Sequence, residues 1–185
     1  MAGQGFPELH GERFLLRAFS DADQPAVFRA LSHPQVIRYY GVSYATLDAT
    51  REQMEWFERI HEEGSGIWWA ICRPDTRAEV IGGCGFNNWL QGHRRLELGY
   101  WLMPEYWGRG VMSECLPLIL RHAFVEMKVH RIEAEVETEN TASSRLLLRH
   151  GFVHEGRRRE CEVKDGAFVS LDNFGLLDPA AVPQP

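Results

Sequence analysis

The stretch from Leu96 to Glu114, LELGYWLMPEYWGRGVMSE, runs from a strand-like alternation through a loop with two glycines into a helical period. Backbone N–H groups of such a loop converge with the unpaired first-turn donors of the helix behind it, and together they make an anion site. Gly108 and Gly110 let a phosphate approach the backbone, and Arg109 adds positive charge. On the loop alone, an ordinary glycine-containing strand–helix connection is an equally good reading. Two other phosphate signatures fail. No Gly-Lys pair occurs, which rules out a Walker loop. Gly83-Cys-Gly-Phe-Asn-Asn88 begins like a dinucleotide fingerprint but lacks the third glycine. Inside a strand pattern, those glycines mark a bulge or a close backbone approach.

Glu97 opens the strand that leads to the loop, where a carboxylate could deprotonate an ammonium directly or through a water. By type alone, a surface glutamate on a half-exposed strand is the commoner reading. Asn140 has the position of a helix N-cap, and Ser143 falls in the first turn, where a hydroxyl could face a cleft. Eight histidines form no dense metal pattern, so no metal is expected. Cys72, Cys84, Cys115 and Cys161 stand far apart and read as buried thiols of a reducing compartment rather than nucleophiles. Glu133, Glu135, Glu137 and Glu139 share one face and read as solvated.

The elements that must position these residues follow from periodicity. Glu12–Phe19 alternates as a half-buried strand. Ser20 with Asp23 signals a helix start, and Pro34 is expected to stop that helix. A second helix is expected over 46–63, with Leu47, Met54, Phe57 and Ile60 on its apolar side and Gly64 as its cap. Strand-like runs cover 67–72, 79–88 and 95–103. A long helix follows from 110 or 111 to about 127, with Glu114 favourable to its dipole and Pro117 bending it. A strand at 131–138, a helix at 141–150 and strands at 152–163 and 167–177 complete the order, with Asp165-Gly166 as the last turn. The fold class is α/β of the α+β type, with a central, mostly antiparallel sheet rather than a doubly wound one.

Composition is that of an ordinary soluble globular domain. The 185 residues are 44% apolar and 25% charged, with 10 Phe, 5 Tyr and 6 Trp to fill a core. A net charge of −6 offers no overall basic face for direct nucleic-acid binding. The longest apolar run, Cys115–Leu120, is far short of the ~20 residues that span a bilayer. The first six residues show no secretory pattern, so a cytoplasmic location is expected. Residues 8–177 read as one domain and 178–185, with three prolines, as a flexible tail.

Taken in order, Glu12–Arg17, Ile81-Gly82, Glu97–Leu102, Trp107–Gly110, Arg131–Glu133, Asn140-x-x-Ser143 and Gly151-Phe152 resemble the GCN5-related N-acetyltransferase (GNAT) family. The closest likeness is to its ribosomal-protein N-terminal acetyltransferase branch. That resemblance implies a single domain whose mixed sheet is splayed between the fourth and fifth strands and flanked by about four helices. It implies acetyl-CoA as donor, with Trp107, Gly108, Arg109, Gly110, Val111, Met112 and Ser113 around the pyrophosphate. Trp107 and Met112 depart from the family's usual Gln/Arg and small residue. Trp101, Leu102 and Met103 would pair through their backbone with the pantetheine arm, and Asn140 would hydrogen-bond it. By the same resemblance Glu97 is the base, the Trp101 N–H the oxyanion donor and Ser143 the acid toward the thiolate. The family's frequent tyrosine acid is replaced by Leu147. Tyr39, Tyr40, Asn87 and Trp89 lie in connections that shape the acceptor pocket. The implied acceptor is a protein N-terminal amine. A small amine (polyamine, aminoglycoside or metabolite) and a silent CoA-binding domain are the alternatives. Dimers are common in the branch.

Overall fold

The computed structural model describes residues 5–180. Residues 1–4 and 181–185, with most of the expected tail, lie outside the described residues. Eight strands form one sheet: β1 (Leu9–His10), β2 (Leu15–Arg17), β3 (Ile67–Cys72), β4 (Gly82–Leu90), β5 (Arg95–Leu102), β6 (Arg131–Glu137), β7 (Val153–Lys164) and β8 (Ala167–Leu177). Their spatial order is β1-β2-β3-β4-β5-β6-β8-β7. Every neighbouring pair is antiparallel except β5 and β6. β1 was not legible, since two residues carry no readable alternation.

The parallel pair is the architectural centre. β5 and β6 are in register only at Arg95↔Arg131, Leu96↔Ile132 and Glu97↔Glu133, and beyond those pairs the strands diverge. The expected splay is therefore present, open at the C-terminal end of β5.

Five α-helices cover the two faces: α1 (Gln24–Leu31), α2 (Pro34–Ile37), α3 (Arg51–Glu62), α4 (Val111–Arg121) and α5 (Thr141–Arg149). One apolar cluster joins α4 and Leu147 of α5 to Leu96, Leu98, Leu102 and Ile132. The other joins α1 and α3 to Trp68, Trp101 and Met103. Alternation along β5 sends Leu96, Leu98 and Tyr100 to the first face and Glu97, Gly99 and Trp101 to the second.

Local chemistry explains where the elements depart from expectation. Pro34 does not simply stop a helix; it occupies the first turn of α2, where its missing N–H costs nothing. Residues 46–50 form a turn because Thr46 Oγ1 accepts from the Ala49 N–H and the Thr50 hydroxyl donates to Thr46 O. Leu47 is consequently exposed instead of lining the helix. Past Arg121 the long helix widens into a π-helical turn over His122–Glu126. Asp165 and Gly166 both have positive φ, as the expected tight turn requires.

The Gly83 and Gly85 signal reports packing. A Cβ on Gly83 would sit 2.8 Å from Trp101 Nε1, and one on Gly85 would meet the Trp68 backbone at 2.5 Å. The ladder irregularity of β4 falls later, between Asn87 and Leu90. Cys161 is exposed on the outermost strand, unlike the other three thiols. The glutamate stripe is ion-paired and not merely solvated: Glu133 with Arg95 and Arg131, Glu135 with Arg158, Glu137 with Lys164 and Glu139 with Arg38.

At the start of α1, the Arg17 guanidinium grips the buried Asp23 carboxylate through bonds of 2.7 and 2.8 Å. Burial alone would raise the Asp23 carboxyl, but Arg17 and Ser20 outweigh it and hold it below its ordinary value. Its contribution is therefore present above the unfolded carboxyl pKa, about 3.9, and is lost as pH falls through the lower folded value. Asp23→Ala strands Arg17 in the interior and should cost about 3 kcal/mol in urea unfolding at neutral pH.

Candidate active site

The loop between β5 and α4 has the form an anion requires. Gly108 and Gly110 adopt φ of 69° and 76°, and Gly110 is the N-cap of α4. The first helical bond of α4 runs from the Glu114 N–H to Gly110 O, leaving the N–H groups of Val111, Met112 and Ser113 without intrahelical acceptors. Behind the loop, the Arg13 guanidinium donates to Arg109 O at 3.2 Å and Gly110 O at 3.4 Å. Holding those carbonyls from the rear leaves the opposite side of the loop to its N–H groups. Met112 is buried in the α4-side core, so this larger residue fills protein interior rather than crowding the loop. Trp107 ties the loop to the strand, its indole donating to Leu102 O at 2.8 Å. Arg109 and Ser113 are exposed.

Glu114 fixes the brace and does more than favour a helix dipole. It accepts from the Arg13 N–H at 2.7 Å, from Arg13 Nε at 2.8 Å and from the Phe14 N–H at 3.3 Å. Burial would raise its carboxyl, yet the Arg13 backbone and side chain hold it below the ordinary range. Glu114→Ala orphans those donors. It should cost about 2 kcal/mol in denaturant unfolding.

The gap continues from this loop. N–H groups alternate in direction along a strand. The Met103 N–H donates across to Ile81 O at 3.0 Å, and Trp101, two residues earlier and in register with Gly83, faces the same way. The N–H and C=O groups of Tyr100 and Leu102 face the opposite side, from which β6 has departed. Trp101 and Met103 therefore do not present their backbone to the gap, and the Trp101 N–H cannot be the oxyanion donor. Leu102 alone of the three expected pairing residues faces the opening, joined by Tyr100. The direction of an N–H depends on which neighbour a strand pairs with, and the sequence does not state that.

Glu97 sits where β5 and β6 part, half-buried, opposite Asn87 in β4. One carboxylate oxygen accepts from Asn88 Nδ2 at 2.8 Å. Asn88 reaches it because its φ of 52° places it in the β4 irregularity. On the opposite face, Asn140 caps α5 by accepting from the Ser143 N–H at 3.2 Å, leaving its amide NH2 free of that bond. Ser143 Oγ and Tyr100 Oη share a hydrogen bond of 2.5 Å. Burial pushes the Tyr100 phenol up to about 12, so it stays protonated. Leu147, one turn beyond Ser143, is fully buried in the core. Of the expected acceptor residues, Asn87 shares the Glu97 face, and Tyr40 packs against the cluster that holds Trp101. Arg38 covers the Tyr39 ring at 5.0 Å. Trp89 packs instead against the α4-side core and does not join them.

A glycine loop at a helix N-terminus, a strand gap leading from it, a carboxylate on one face and a hydroxyl on the other gather along β5. Residues 13–153 match the acetyltransferase (GNAT) domain family. The chain belongs to that family and is an N-acetyltransferase. YoaA of Bacillus subtilis, an uncharacterized N-acetyltransferase, is 36% identical over 175 residues, 94% of this chain and 98% of its own length. The ribosomal protein uS5-alanine N-acetyltransferase of Escherichia coli is 33% identical over 125 residues, 67% of this chain and 64% of its own. The solved structure of RimL, a ribosomal L7/L12 alpha-N-protein acetyltransferase in complex with coenzyme A, aligns with a TM-score of 0.84. It is 20% identical and covers 94% of this chain and 99% of that one, a likeness of fold.

Proposed function

We propose that this N-acetyltransferase takes its acetyl group from acetyl-CoA and delivers it to a primary amine, the N-terminal α-amino group of a protein. The observation that carries the donor is the gap beyond Glu97 and Glu133, which starts at the free N–H groups of α4. A pyrophosphate suits the loop, and an extended arm bearing amides suits the N–H groups of Tyr100 and Leu102 and the Tyr100 carbonyl, the Leu102 carbonyl already accepting from the Trp107 indole. Asn140 has an amide donor to offer that arm. The CoA complex of RimL, which shares the fold, supports the same donor.

In this reading the amine approaches on the Glu97 face. Its nitrogen attacks the thioester carbonyl carbon, the C–S bond breaks, and the electron pair leaves with sulfur. Glu97, oriented by Asn88, receives the amine proton directly or through water. A backbone N–H on the open side of β5, from Tyr100 or Leu102, stabilises the developing oxyanion. Ser143 meets the departing thiolate from the other face. The names of the uS5-alanine enzyme and of RimL favour a protein N-terminus as acceptor.

The test is CoA release from acetyl-CoA against N-terminal peptides, polyamines and aminoglycosides, with CoA binding followed by calorimetry. Turnover confined to peptides is expected. Turnover on small amines alone would replace the acceptor, and absence of CoA binding would overturn the donor.

A further inference from the structure

We infer that Tyr100 is a positioning residue for acetyl transfer: it spans the gap from β5 to α5 and aims the Ser143 hydroxyl at the thioester sulfur. The inference rests on the acetyl-CoA reading above. Three observations carry it. Tyr100 belongs to the strand on one side of the opening and Ser143 to the helix that follows the strand on the other, yet their oxygens lie 2.5 Å apart. Ser143 is also fixed from behind, since its N–H donates to the Asn140 side chain. Leu147, one turn further along α5, is buried in the core, so the phenol that meets this helix face comes from the strand.

Either oxygen can donate in the shared bond, and the phenol, the more acidic hydroxyl, is the better donor. When Tyr100 donates to Ser143 Oγ, the serine proton is released from that contact and turns toward the gap. Sulfur leaves as a thiolate that accepts this hydrogen bond, and the chain Tyr100–Ser143–sulfur spreads the new negative charge over two donors. No proton has to cross the chain. A thiol of ordinary pKa, about 8.5, takes its proton from water once CoA departs, while the amine proton leaves on the Glu97 side. Tyr100 thus acts through Ser143 and is not itself consumed.

The test compares wild type, Tyr100→Phe, Ser143→Ala, Ser143→Thr and the double variant Y100F/S143A. The first readout is the pH titration of the thiol of bound CoA, followed by its ultraviolet thiolate absorbance. In wild type it should fall about one pH unit below that of free CoA. It should return toward the free value in Tyr100→Phe and Ser143→Ala alike, and Ser143→Thr should retain the lowering. In turnover, each of Tyr100→Phe and Ser143→Ala should lower kcat about tenfold without changing KM for acetyl-CoA. The double variant should be no worse than Ser143→Ala. A Tyr100→Phe protein that titrates like wild type overturns the inference, even if it melts earlier, because the ring then serves packing only. Additive losses in the double variant overturn it as well. A wild-type protein that binds no CoA overturns the donor reading, and this inference with it.

Discussion

Gly108→Glu should reduce CoA affinity by at least 100-fold while the protein still folds. A Cβ at this glycine meets nothing within 4 Å, so crowding does not account for the loss. Its φ of 69° adds strain of about 1 kcal/mol for any side chain. The decisive effect is the carboxylate placed among N–H groups that should receive phosphates. At ~4 Å separation and intermediate dielectric, two like charges repel by about 4 kcal/mol, close to three orders of magnitude in binding. Gly108→Ala separates the two contributions, because it keeps the strain and adds no charge. Calorimetry with CoA measures both variants. Unaltered affinity in Gly108→Glu would remove the loop from the donor site.

The second large effect belongs to Glu97→Gln. The amide oxygen can still accept from Asn88, so the side chain keeps its place while losing its capacity to take a proton. We expect kcat to fall about 100-fold with KM for acetyl-CoA nearly unchanged, since the loop and the open edge of β5 are untouched. Steady-state rates with a reactive acceptor peptide across pH provide the measurement. Equal rates for wild type and variant at every pH would strip Glu97 of its role as base.

These two residues were visible in the sequence for a physical reason: each lies in a segment whose neighbours declare its local structure. Alternation around Glu97 marks a strand, and the paired glycines before an amphipathic run mark a helix start. Asn140 was legible likewise, as a cap just ahead of a helical period. The groups that tune the site were not legible, because they depend on long-range placement. Arg13 and Glu114 are separated by 101 residues, and Tyr100 and Ser143 by 43. Asn88 becomes a partner of Glu97 only through a left-handed backbone in the β4 irregularity. For Trp101, side-chain alternation predicts the face of the sheet, while its hydrogen-bonding direction depends on the neighbouring strand. Trp89 lies in β4 and not in a connection, and its ring packs against the α4-side core.

The short register between β5 and β6 carries one more consequence. An unpaired strand edge usually invites capture by another protein, which is why edges are shortened, charged or covered. Here the edge is internal, with the rest of the sheet on either side, and the Tyr100–Ser143 bridge and the Trp107 indole stand over it. A foreign strand would bring a side chain at every residue against those covering groups, whereas a narrow, unbranched chain punctuated by amides would not. The wedge proposed to receive such a donor therefore also keeps the open backbone edge of β5 inside the sheet.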